Sequence, residues 1–124
     1  MLVSDIPELG AHRALPSARI HFEEGSLGYA ELRERCALLA AGLTRIAASG
    51  DRVALLSQNR PEYLECLFGV PAAGMLLTLL NYRLSVRELA YILGNAEPVV
   101  LIVEAPYLPL ARQLCELAPS LRHL

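Results

Sequence analysis

The sequence has no lysine and no tryptophan, only three cysteines, and no cluster of charge of one sign. Each shortage excludes a class of function. All eleven basic residues are arginine, interspersed with thirteen acidic ones to a net charge of −2, so the chain carries no electrostatic footprint for nucleic acid. Cys36, Cys66 and Cys115 are odd in number and widely spaced, which suggests neither a disulfide framework nor a metal site. They read as buried thiols of a reducing compartment, and a cytoplasmic location is expected. His12, His21 and His123 lack paired-ligand spacing, so no metal-ligating residue is expected. No glycine-rich loop crowds backbone amides around an anion, so no cofactor-binding residue is expected either. The serines, among them Ser49, Ser57 and Ser85, fall at turns and strand ends without a nucleophile elbow, and no catalytic residue is assigned. Asp51 and Arg52 could form an acid and an anion clamp, but an ordinary turn role suits them better.

Long hydrophobic runs are missing as well. Cys66–Leu80 is uncharged, yet it holds Gly69, Pro71 and Gly74 and is shorter than the ~20 residues a membrane span needs. A helix followed by a buried strand explains it better. Met1–Gly10 carries Asp5 and Glu8 and no basic residue, unlike a secretory or transit peptide. What the chain does have is apolar bulk: 54% of its 124 residues are hydrophobic, more than a small soluble domain needs. Some of that surface is expected to lie against a partner.

Residues 1–17 read as a loose lead-in, and 18–124 as one incomplete α/β subdomain. Ala18–Glu23 alternates apolar and polar residues as a strand with one wet face, and Glu24-Gly25-Ser26 turns the chain. From Tyr29 to about Ala48, Leu32, Cys36, Leu39, Leu43 and Ile46 recur at helical steps, and Ser49-Gly50 stops the helix. Arg52–Ser57 is a strand apolar on both faces, which implies a parallel sheet. Asn59 is placed to cap a helix that begins at Arg60-Pro61 and runs to Gly69 or beyond, where Pro71 bends or ends it. Met75–Leu80 is a second buried strand. Ser85 and Glu88 stand at capping-box spacing before a helix that reaches Gly94-Asn95. Val99–Val103 is a third buried strand, and a last helix begins near Pro109. Parallel strands joined through helices imply right-handed crossovers. The last helix leads only to Ser120–Leu124, the beginning of a strand at most, so the α/β pattern is expected to be truncated.

Four segments in order carry a family resemblance: Gly28-Tyr29-Ala30-Glu31-Leu32, Gly50-Asp51-Arg52-Val53-Ala54, Asn59-Arg60-Pro61-Glu62, and Leu80-Asn81-Tyr82-Arg83-Leu84 followed by Glu88–Leu93. Together they resemble the opening of the AMP-dependent, adenylate-forming synthetase/ligase superfamily that includes acyl-CoA synthetases. The resemblance implies the N-terminal subdomain of a ligase that uses ATP, magnesium and coenzyme A to activate a carboxylic acid. It also implies that the nucleotide-gripping loop and the catalytic lysine lie later than these segments. The chain would then scaffold a sheet, its partner would be the downstream part of the ligase, and Leu84–Leu93 would lie near the acyl pocket by analogy of fold. Gly28 stands where such ligases commonly carry Thr or Ser, so its helix would start without a side-chain cap. The alternative is a free-standing α/β module that binds a protein partner through an apolar face.

Overall fold

The computed structural model describes residues 1–124. Its central feature is a three-stranded parallel sheet in the order β4-β3-β5, made of β3 (Arg52–Leu56), β4 (Leu76–Leu80) and β5 (Val100–Val103). All three strands form at the expected apolar runs; β3 and β5 are covered on both faces, as a succession of apolar residues implies, whereas β4, expected to be buried, is an edge strand with Leu76 and Leu79 exposed. Successive β3 side chains point to opposite faces and seed two cores. Val53 and Leu55 pack with Cys66 and Val70 of α3 (Pro61–Ala72) and with Leu43 of α2 (Tyr29–Leu43). Ala54 and Leu56 pack with Leu89 and Leu93 of α4 (Val86–Ala96) and Ala111 and Leu114 of α5 (Leu108–Leu117). The result is the layered, partial parallel α/β architecture expected from the sequence.

The helix signals explain the boundaries unequally. Ser85 and Glu88 form the expected capping box: the Ser85 amide donates to Glu88 Oε2 at 2.8 Å, and the Glu88 amide donates to Ser85 Oγ at 3.4 Å. The far end of α4 passes Gly94-Asn95 and stops at Glu97, whose φ of 49° places a non-glycine residue in the left-handed region. At the start of α3 the N-cap is Arg60 rather than Asn59, and no side chain caps it; Pro61 takes the first turn, where its missing N–H costs nothing. Pro71 sits in the last turn of α3, which ends at Ala72. Gly28 caps α2 without a side-chain bond.

Three N-terminal features differ from expectation. Residues 1–17, read as a loose lead-in, contain a short 3-10 turn at Val3–Asp5 and helix α1 (Ile6–Arg13). That helix has no clear apolar stripe; it is placed by close approach to α2, since a Cβ on Gly10 would lie 2.5 Å from Cδ1 of Tyr29. Gly25-Ser26 does not turn the chain but belongs to β2 (Gly25–Gly28), which pairs antiparallel with β1 (Arg19–Phe22). The hairpin covers a small third core of Leu27, Leu32 and Cys36. Helix α2 ends at Leu43, short of Ala48, and the following turns are held by the Ala48 amide donating to Asp51 Oδ2 at 2.8 Å. No helix is long and apolar enough to cross a membrane, and Cys66–Leu80 is the end of α3 followed by β4.

Candidate functional site

The chain leaves β3 toward α3 on one face of the sheet and leaves β5 toward α5 on the other. Adjacent parallel strands whose exits diverge in this way open a crevice at their carboxyl ends, the usual ligand position of open α/β sheets. The residues found there are Ser57, Gln58 and Arg60 after β3, Tyr82 and Arg83 after β4, and Glu104 and Tyr107 after β5.

Glu104 ties the crevice together. Its Oε2 accepts from the Gln58 amide at 2.9 Å and from Ser57 Oγ at 3.2 Å, and its Oε1 accepts from Arg60 Nη1 at 3.1 Å. The Gln58 amide, followed by Arg60 and Ser57, holds the Glu104 carboxyl below the ordinary range. Gln58 Nε2 donates to the Tyr107 hydroxyl at 2.7 Å, and Tyr107 lies against Tyr82 with ring centroids 5.6 Å apart. The Arg83 guanidinium sits 5.6 Å over the Tyr82 ring. Beside this cluster a groove of about 450 Å³ is lined by Glu23, Glu24, Arg35, Arg60, Glu62 and Glu104.

Both groove arginines are engaged. Arg60 donates to Glu62 at 2.8 Å as well as to Glu104, and its hydrogen bond holds the Glu62 carboxyl low. Arg35 pairs with Glu65 and approaches Glu31 at 3.8 Å and Glu62 at 4.0 Å. Burial raises Glu65 despite that partner. With four carboxylates on its wall and no cation left over, the groove would repel a polyphosphate, so these residues do not fit ATP. Ser57 is buried at 6% exposure, and its one hydroxyl proton is shared between the Gln58 carbonyl and Glu104, a carboxylate whose lowered pKa makes it a poor base for activating the hydroxyl.

The residues weighed from sequence lie elsewhere. Asp51 and Arg52 stand at the amino end of β3, opposite the crevice, where Asp51 holds a turn and sits 3.7 Å from Arg122. They do not form an anion clamp. Cys36 and Cys66 are buried, and burial pushes their thiols up to about 11 and about 12 respectively; Cys115, expected to be buried, is half-buried. No group of three or more His, Cys, Asp or Glu residues is arranged to hold a metal ion. Sequence reasoning missed the Glu104 cluster, because its partners lie 44 to 47 residues away. The available signal was a lone acid leaving one apolar strand and a Ser-Gln-Asn-Arg exit leaving another.

Fold and crevice define a doubly wound parallel α/β unit whose crevice is filled by its own side chains. The pattern of the AMP-binding enzyme family matches residues 10–123, and the chain belongs to that family. It is 43% identical over 72 residues to 4-hydroxybutyrate–CoA ligase 2 of Metallosphaera sedula, across 58% of this chain and 12% of that protein. It is 42% identical over 87 residues to a long-chain-fatty-acid–CoA ligase of Thermus thermophilus, across 69% of this chain and 16% of that protein. The chain therefore spans less than a fifth of these relatives. Among solved structures, it superposes on the N-terminal domain of FACL13 from Mycobacterium tuberculosis with a TM-score of 0.85 and 25% identity, covering 99% of this chain and 33% of that one. The chain is thus an acyl-CoA-ligase-like N-terminal portion in both sequence and fold.

Proposed function

We propose that the chain is a scaffolding part of an ATP-dependent acyl-activating ligase and is not catalytic by itself. The observation that carries this is the match of nearly the whole chain to one third of a ligase N-terminal domain. The complete ligase would join a carboxylic acid to ATP as an acyl-adenylate and pass the acyl group to coenzyme A, with magnesium as the nucleotide's counter-ion. None of those steps is assigned to a side chain of this chain, whose polar groove is neutralised internally and lacks a free cation for phosphate. Its contribution is the sheet and two helical layers that support a ligase body, which is its natural partner. Three unpaired cysteines suit the cytoplasm. The test is pyrophosphate exchange by the purified chain with ATP, magnesium and a panel of carboxylic acids, alongside ATP titration by calorimetry. No exchange and no binding are expected. Robust exchange from this chain alone would overturn the proposal.

A further inference from the structure

We draw no further inference here: the strongest candidate, the outward face of α4 on which Arg87 lies one turn from Tyr91, a ring 78% exposed, carries nothing because nothing in the structure shows what covers it.

Discussion

The two edges of the sheet differ in a way that the strands themselves do not. Beside β5 the chain supplies its own cover: Leu101 donates to the His123 carbonyl at 3.0 Å, the Arg122 amide donates to Val99 at 2.9 Å, and His123 forms a parallel bridge to Val100. Beside β4 nothing comes back. Both strands are apolar runs of similar length, so composition does not separate them; the return of a distant segment does. An edge strand is a set of unpaired donors and acceptors until some other backbone arrives. Within this chain a distant segment pairs with the β5 edge and none pairs with the β4 edge, so backbone protection is expected to differ between the two.

Four substitutions or conditions would break or sharpen that contrast. The largest effect is expected from Leu101→Ala in β5, where a side chain 1% exposed bridges the sheet and the α4/α5 layer; a loss of about 2–5 kcal/mol should appear in urea unfolding. Removing Leu121–Leu124 strips the cover from β5 and leaves the Leu101 amide unpaired. About 1–2 kcal/mol should be lost, with exchange at that amide accelerating. Ser85→Ala removes the capping box from α4, the helix that carries the chain from β4 across to β5, and should cost about 1 kcal/mol in thermal or urea unfolding. The smallest effect belongs to the open edge. Leu79→Lys should change the stability of the isolated chain by no more than about 0.5 kcal/mol, since the side chain is 45% exposed.

The crevice adds a pH dependence to the β5 side. Glu104, only 14% exposed, and Glu62 both have carboxyls held below their ordinary value of 4.5 in the folded chain. A depressed folded pKa contributes stability that is fully present above the ordinary value and is lost as pH falls through the depressed one. Acid titration of stability should therefore decline below about pH 5, as linkage requires, and Glu104→Gln should flatten that decline. Glu65 acts with the opposite sign. Its carboxyl is raised by burial, so ionisation near neutrality works against the fold, and Glu65→Gln should leave stability at pH 7 equal or slightly higher.

Legibility in the sequence followed the range of the interactions. The strands β3, β4 and β5, the capping box at Ser85 and Glu88, and the first-turn role of Pro61 are signalled by residues within a few positions of one another, and each appears in the structure. Helix α1 and strand β2 were not legible because neither carries a periodic apolar stripe. One is set by Gly10 against Tyr29, and the other by Leu27 reaching the small third core. The candidate site was least legible of all. Glu104 is one acid after one strand until the fold brings Ser57, Gln58 and Arg60 to it, whereas the turn role read for Asp51 from its own neighbours is the one it takes.

The central claim is that the segment Arg122–His123 covers the start of β5 while no strand of this chain pairs with the outer side of β4. Residue-resolved hydrogen exchange of the isolated chain tests it directly. The account predicts a strongly protected Leu101 amide and freely exchanging Leu77 and Leu79 amides; protection at Leu77 and Leu79 equal to that at Leu101 in the monomer would contradict it.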